Sequence, residues 1–187
     1  MMVRMKAYSA ILSILTVAAV ASSCTKESVK TMYSKQEEWI ESFIGAQTSA
    51  NEDAYVVSNK GSQRVVVAKG EGQELAKNGT ISFYYAGYVL KSSSISSSNL
   101  FATNKEEIAT ASSWNTSAED RFDIMTLNLS EADLVEGLKN GLVGVKGGEE
   151  CYILFSAKYG FGKRALGTIP ANAALAYHIW AESTSNE

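Results

Sequence analysis

The sequence has only one proline, one histidine and two cysteines among its 187 residues. Cys24 and Cys151 lie in such different surroundings that they do not indicate a disulfide framework. The lone histidine, His178, and one spare cysteine cannot complete a tetrahedral zinc site without several carboxylates, and the sequence has no such cluster. The net charge of −3 includes no basic run of the kind that neutralises nucleic-acid phosphates. We therefore expect no metal, no cofactor and no nucleic-acid partner.

The first 23 residues have the pattern of a targeting segment. Arg4 and Lys6 form a positive region, and residues 7–21 form an apolar stretch that is short for a membrane span. Small residues then precede Cys24, so residues 1–23 resemble a bacterial lipoprotein signal peptide, with Cys24 as the acylated N-terminus. The alternative is a secreted protein that is cleaved nearby and carries no lipid. We favour the lipoprotein, anchored by its lipid in the bacterial cell envelope, at the outer membrane, facing the periplasm or the exterior.

Residues 24–52 are predicted to form a polar tether, residues 25–30, and then a helix that begins at Ser34. Ser34 followed by Glu37 is typical of a capping box, and Gly45 is typical of a helix end. Four apolar residues recur at helical spacing and form one stripe: Trp39, Ile40, Phe43 and Ile44. We expect this stripe to pack on its own domain rather than on a partner. The sequence makes no prediction of the oligomeric state.

The remaining residues, 53–187, alternate between polar and apolar in the manner of β-strands. Six segments are predicted strands: residues 54–58, 63–68, 80–90, 121–127, 150–156 and 172–181. A short helix is predicted after Ser130, with Gly141 at its end. Residues 91–121 lack a lasting apolar period and are predicted to form a long, partly flexible surface insertion. Together these segments predict an α+β domain in which an antiparallel sheet wraps over a short helix.

The same alternation predicts where two reactive side chains point. Cys151 falls on the face of Ile153, so we expect it in the core as a small hydrophobe rather than at the surface as a nucleophile. His178 falls on the face opposite Tyr177, so we expect it at the surface and not as a catalytic base.

Several short motifs follow one another in a distinctive order along this domain. They are Gly70-Glu71-Gly72, Tyr84-Tyr85-Ala86-Gly87, Val135-Glu136-Gly137-Leu138, Tyr159-Gly160-Phe161-Gly162, Ile169-Pro170 and Leu175-x-Tyr177. In this order they resemble the FK506-binding-protein (FKBP) type of peptidyl-prolyl cis-trans isomerase over about residues 62–183. The resemblance implies an FKBP-like fold and places the insertion at residues 91–121 beside the binding site as a flap.

The resemblance also implies an apolar pocket for a proline ring. Its expected catalytic residues are Tyr85, Phe122, Leu134, Val135, Leu138, Tyr159, Ile169 and Tyr177, with Phe101 as a further binding residue. The Tyr159 hydroxyl and the Ile169 backbone N–H would bind the carbonyl groups of the ligand. Two residues depart from the family pattern, because Leu138 replaces the usual tryptophan of the pocket floor and Ala102 replaces an aspartate.

The function that the resemblance implies is a prolyl isomerase or folding helper. Its partners would be proline-containing exported polypeptides, and the membrane through the lipid on Cys24. Rotation of an X–Pro bond meets a barrier of about 18–20 kcal/mol from amide resonance, so a dry apolar pocket that favours the twisted amide needs neither nucleophile nor metal. The two departures favour an alternative, a non-catalytic FKBP-like lipoprotein that binds peptides or proteins. A third hypothesis is a structural surface lipoprotein without a pocket.

Overall fold

The computed structural model describes the backbone of residues 5–117 and 119–186, and the side chains of residues 26–117 and 121–186. The predicted signal peptide, residues 1–23, and the side chain of Cys24 lie outside the residues whose side chains are described. Among the described residues, no helix is both long enough and apolar enough to cross a membrane.

The chain divides into two compact units, of which the smaller, Met1–Lys35, contains the beginning of the first helix. The larger unit, Gln36–Glu187, contains the sheet. In chain order the elements are α1 (Met5–Ala50), β1 (Tyr55–Asn59), β2 (Ser62–Ala68), β3 (Thr80–Leu90), β4 (Leu100–Thr103), α2 (Glu106–Ala111), β5 (Met125–Asn128), α3 (Glu136–Leu142), β6 (Glu150–Phe155) and β7 (Ala174–Ser185). The strands form one antiparallel sheet in the order β1-β2-β6-β7-β3-β4, with β5 also paired to β3. This arrangement confirms the predicted α+β class with an antiparallel sheet, a short helix and an N-terminal helix.

The main core lies between the centre of the sheet and α3. Strand β7 pairs with β6 on one side and with β3 on the other, so it is the central strand. Because side chains alternate along a strand, Leu175, Tyr177 and Ile179 share one face. That face packs against Leu138 and Leu142 of α3 in one apolar cluster. The core therefore places the N-terminal end of α3 over Tyr177.

Helix α1 is longer than the sequence predicts. It includes residues 25–30, predicted as a tether, and passes through Gly45 to Ala50. The Ser34 hydroxyl does not cap a helix start but donates to the Lys30 carbonyl inside the helix. Both differences have a physical reason, since residues 26–30 include three Lys and Glu side chains that favour helix, and one internal glycine costs only about 1 kcal/mol.

The apolar stripe of α1 packs on its own domain, as expected. Ile40 and Phe43 are buried in a cluster on the sheet face that points away from α3. The sheet residues of this cluster are Val65, Leu90, Leu154, Ala174 and Ala176. The buried Gln36 side chain fixes the helix further, because its amide donates to the Asn172 carbonyl at 2.8 Å and its oxygen accepts the Ala157 N–H at 2.9 Å.

The insertion at residues 91–121 contains regular secondary structure in its described part. It contains β4, which pairs with β3, and the six-residue helix α2. Asn104 is buried and ties three segments together: its side-chain oxygen accepts the Tyr85 N–H at 2.7 Å, and its amide donates to the carbonyls of Phe83 and Asp123. These elements are too short to show a period in the sequence.

The predicted start of the short helix needs correction, and its predicted end agrees with the structure to one residue. Helix α3 begins at Glu136 rather than after Ser130, whose hydroxyl donates to the Asn128 side chain at 2.6 Å. Gly141 is the penultimate residue of α3, one residue before the end of the helix. An added Cβ at Gly141 would overlap Ile153 of the sheet. The glycine therefore allows the helix to approach the sheet.

The predictions for Cys151 and His178 have different outcomes. Cys151 is fully buried, as predicted, and its burial raises the pKa of the thiol. His178 lies on the predicted face but is not a surface residue, since only 14% of its side chain is exposed. Its ring stacks on Tyr152 and lies 3.7 Å, between centroids, from the Trp180 ring. Neighbouring aromatic rings on the same face cover it, and the alternation alone does not show this.

Candidate active site

A cavity of about 470 Å³ opens at the N-terminal end of α3. One wall comes from the segment that leads into the helix, and the other from the loop between β6 and β7. Its apolar lining consists of Leu134, Val135, Leu138, Phe161, Leu166 and Tyr177. The volume lies in the range of about 300–1,000 Å³ that small-molecule sites occupy.

Leu138 and Tyr177 meet at the floor of this cavity, and both are nearly buried. Gly137 allows this approach, because an added Cβ there would overlap the Phe155 ring of the sheet. Tyr177 is held by rings on three sides, one of which is Phe155, stacked at 6.0 Å between centroids. Burial raises the pKa of the Tyr177 hydroxyl, so this group stays protonated and uncharged. The floor is therefore uncharged and packed against aromatic rings.

Tyr85 and Phe101 are half-buried and pack against Tyr177. Their ring centroids are 6.4 Å and 5.6 Å from that of Tyr177, and neither residue lines the cavity. Gly87 makes room for this packing, since an added Cβ would be 2.6 Å from Phe101 and 3.2 Å from Tyr177. The structure therefore brings both predicted residues next to Tyr177 at the site.

Tyr159 is not in the cavity, contrary to the expectation from the resemblance. Its ring covers Gly61 in the turn between β1 and β2, where an added Cβ would overlap the ring. The aromatic residue that this loop contributes to the cavity is Phe161, two positions later. Phe161 has no hydroxyl, so the expected O–H donor is absent from the described lining.

The backbone N–H of Ile169 is also unavailable in the form expected. It donates to the Leu166 carbonyl at 2.9 Å, and the Leu166 N–H donates back to the Ile169 carbonyl at 2.9 Å. Gly167, with φ of 56°, permits this two-residue hairpin. The Ile169 side chain is buried in the main core, so the residue shapes the loop without lining the cavity.

Phe122 is not among the residues that line the cavity. The predicted strand at residues 121–127 begins only at Met125, and Phe122 belongs to the preceding 3-10 turn, Glu119–Phe122. It is half-buried and joins neither the main core nor the cavity lining. Met125 packs against the main core from this segment instead. Its alternation with Leu127 is the signal by which the sequence could have identified it.

The comparison with protein families identifies the domain. Residues 72–180, more than half of the chain, match the model of the FKBP-type peptidyl-prolyl cis-trans isomerase. The chain belongs to this family. A curated relative, FK506-binding protein 1 of Aspergillus oryzae, is 22% identical over 119 residues, which cover 64% of this chain and 94% of that protein.

Solved structures show the same FKBP fold. FkpA from Escherichia coli superimposes with a TM-score of 0.56 at 15% identity, covering 93% of this chain and 70% of that one. The N-terminal domain of FKBP42 from Arabidopsis thaliana gives a TM-score of 0.52 at 16% identity, covering 72% of this chain and 94% of that one. At these identities the likeness concerns the fold.

The cavity of this FKBP domain is uncharged at its floor and charged at its rim. The rim side chains are exposed: Asp133, Glu136 and Arg164. Among the described residues there is no group of three or more His, Cys, Asp or Glu side chains that could hold a metal ion. The apolar side chains of the lining can pack against a ring, and the charged side chains at the rim can contact a peptide on either side of that ring.

Proposed function

We propose that the chain is a peptidyl-prolyl cis-trans isomerase that binds the proline ring in the cavity over Leu138 and Tyr177. The observation that carries this proposal is the convergence of the side chains of Leu134, Val135, Leu138 and Tyr177 on one concave site. Loss of amide resonance in the twisted X–Pro bond reduces its charge separation, so an apolar pocket favours the twisted form over either planar form. No titrating side chain is needed for this step.

The expected activity is weak. The lining lacks a hydroxyl at Phe161, and the Ile169 N–H is already paired, so neither group fixes a substrate carbonyl. A neutral hydrogen bond contributes about 0.5–1.5 kcal/mol, so two missing bonds correspond to roughly a ten- to hundredfold lower rate if both act in the transition state. Leu138 at the floor also offers less flat surface than a tryptophan.

A protease-coupled assay on an X–Pro peptide, with purified protein at micromolar concentration, tests the isomerase. We expect acceleration above the uncatalysed rate and its loss in Leu138→Ser, with circular dichroism as the control for folding. No acceleration by a folded protein would overturn the catalytic proposal.

The paired Ile169 N–H and the absent hydroxyl favour a second candidate, a non-catalytic module that holds proline-containing segments. Phe161→Tyr and the double variant Leu138→Trp with Ala102→Asp separate the two. If the natural chain is inactive and binds a proline peptide, while either variant gains activity, the site is a binding module. Activity in the natural chain excludes the binding-only function.

We further propose that the chain is a lipoprotein of the bacterial cell envelope that acts on proline-containing exported polypeptides. The positive start, the short apolar stretch and the small residues before Cys24 support this proposal. Metabolic labelling with an alkyne fatty acid in a bacterial host tests it. Cys24→Ala should lose the label, and Cys151→Ala, which changes a buried thiol, should keep it. Label that persists in Cys24→Ala would contradict the assignment.

A further inference from the structure

The rim of the proline pocket separates charges of opposite sign. Asp133 and Glu136 line the cavity from the segment that leads into α3, and Arg164 lines it from the loop between β6 and β7. All three side chains are exposed, whereas Leu138 and Tyr177 at the floor are nearly buried. The uncharged floor holds the proline ring, which every X–Pro segment has. Discrimination between segments by charge therefore falls to the rim.

Each wall of the cavity belongs to a segment whose charged side chains all have one sign. Every charged side chain in residues 130–138 is acidic: Glu131, Asp133 and Glu136. Every charged side chain in residues 156–173 is basic: Lys158, Lys163 and Arg164. The proline pocket therefore lies between an acidic wall and a basic wall.

Neighbouring side chains do not neutralise the rim. Among the residues whose side chains are described, Asp133, Glu136 and Arg164 take part in no ion pair. Lys139, the basic residue that follows on α3, does not line the cavity, and its ammonium donates to two backbone carbonyls at 3.2 Å and 3.3 Å. A charged side chain of a bound peptide would thus meet an opposite charge that has no ion-pair partner in the protein.

We propose that the pocket selects X–Pro segments that carry a basic residue on one side of the proline and an acidic residue on the other. This inference rests on the proposed binding of the proline ring over Leu138 and Tyr177. With the ring in place, the basic side chain pairs with Asp133 and Glu136, and the acidic side chain pairs with the Arg164 guanidinium, which can bind a carboxylate through two N–H groups. The reverse order of charges brings like charges together at both walls.

The test is a titration of the purified natural chain with three peptides blocked at both ends, followed by the amide chemical shifts of Leu138 and Tyr177 in NMR spectra. Lys-Ala-Pro-Ala-Glu and Glu-Ala-Pro-Ala-Lys have the same composition and net charge and differ only in charge order, and Gln-Ala-Pro-Ala-Gln is uncharged. We expect one order to bind about two- to fivefold more tightly than the uncharged peptide for each ion pair formed. The reverse order should bind more weakly than the uncharged peptide.

Salt separates this charge preference from the apolar binding of the ring. The Debye length falls from about 10 Å at 0.1 M salt to about 3 Å at 1 M salt, so exposed ion pairs are screened. The affinities of the three peptides should therefore converge at 1 M salt. A preference of the same size at both salt concentrations would contradict the role of the rim charges.

Variants then assign the preference to the rim, with circular dichroism as the control for folding. Arg164→Glu makes both walls acidic, so the two charged peptides should bind about equally. The triple variant Asp133→Lys, Glu136→Lys and Arg164→Glu exchanges the signs of the walls and should invert the preference. Lys163→Glu is the matched control, because it makes the same change of charge at an exposed position outside the lining, and it should keep the preference.

The uncharged peptide distinguishes a failure of this inference from a failure of the proposed function. If it binds and the two charge orders bind equally at low salt, the inference is overturned and the proline pocket stands. If none of the three peptides binds at millimolar concentration, the proposed pocket is wrong and the inference falls with it. A preference that Arg164→Glu keeps and Lys163→Glu removes would place the selection outside the rim.

Discussion

Arg64 and Glu149 form an ion pair that is almost completely withdrawn from solvent. Arg64 Nε lies 3.4 Å from Glu149 Oε1, and the two side chains are 5% and 1% exposed. The guanidinium also donates to the carbonyls of Val143 and Gly144, at 3.2 Å and 3.1 Å, just after α3 ends. One buried side chain on β2 thus fixes the end of the helix whose other end forms the floor of the proline pocket.

The first prediction concerns this pair. Arg64→Met should destabilise the protein by about 3–5 kcal/mol, because it leaves a buried carboxylate without its partner. The double variant Arg64→Met with Glu149→Gln should recover part of that loss, since it removes the uncompensated charge. Urea unfolding measures both. A double variant no more stable than Arg64→Met alone would show that the helix-end hydrogen bonds, rather than the charge pairing, carry the effect.

The fold and the pocket differ in how far the sequence predicts them. Strand β3 has the predicted bounds, and its first residues alternate between part-exposed and buried, which leaves a period of two in the sequence. Leu138 and Tyr177 also lie at the cavity, since each occupies a regular helix or strand that sets its direction. In regular helices and strands, the direction of a side chain can therefore be predicted from its position in the sequence pattern.

In the loop between β6 and β7, the direction of the side chains cannot be predicted from the sequence pattern. Tyr159 and Phe161 are both aromatic, but the Tyr159 ring packs over Gly61 while Phe161 lines the cavity. Ile169 loses its free N–H to a hairpin that depends on the left-handed backbone of Gly167. Neither contact leaves a periodic signal, because each joins single residues in irregular segments.

The second prediction concerns the close approach of α3 to the sheet. Gly137→Ala should destabilise the protein by about 1–3 kcal/mol and reduce proline-peptide binding, because its Cβ would overlap the Phe155 ring. Gly45→Ala is the matched control, since no atom lies within 4 Å of the added Cβ in α1. It should stabilise the protein by about 0.5–1 kcal/mol. Thermal unfolding distinguishes them, and a stabilised Gly137→Ala would contradict the packing.

The third prediction separates the two aromatic residues of the loop. Tyr159→Phe should leave proline-peptide binding unchanged, because its hydroxyl lies away from the cavity. Phe161→Ala should weaken that binding by roughly ten- to hundredfold, the effect of losing about 1.5–3 kcal/mol of apolar contact. Peptide titration followed by NMR measures both. The opposite order of effects would restore Tyr159 as the ligand-binding residue.

The fourth prediction concerns His178 and pH. Its pKa is lowered by burial from 6.5 to about 4 in the folded protein, so between these values the unfolded chain binds the proton more readily. Stability is then fully present above the unfolded pKa and falls as the pH decreases through this window, by up to about 3 kcal/mol. The groups that face the His178 ring are Glu150, Lys105 and Tyr152. All three are unchanged in the variant that tests this prediction.

His178→Gln removes this titration and keeps the other charges. The free energy of unfolding, measured with urea from pH 7 to pH 4, should therefore fall less steeply in His178→Gln than in the natural chain. Comparing slopes rather than absolute stabilities separates the titration from any loss of ring packing on Tyr152 and Trp180, because packing changes shift the curve without changing its dependence on pH. Parallel curves for the two proteins would show that the imidazole is not kept neutral by burial.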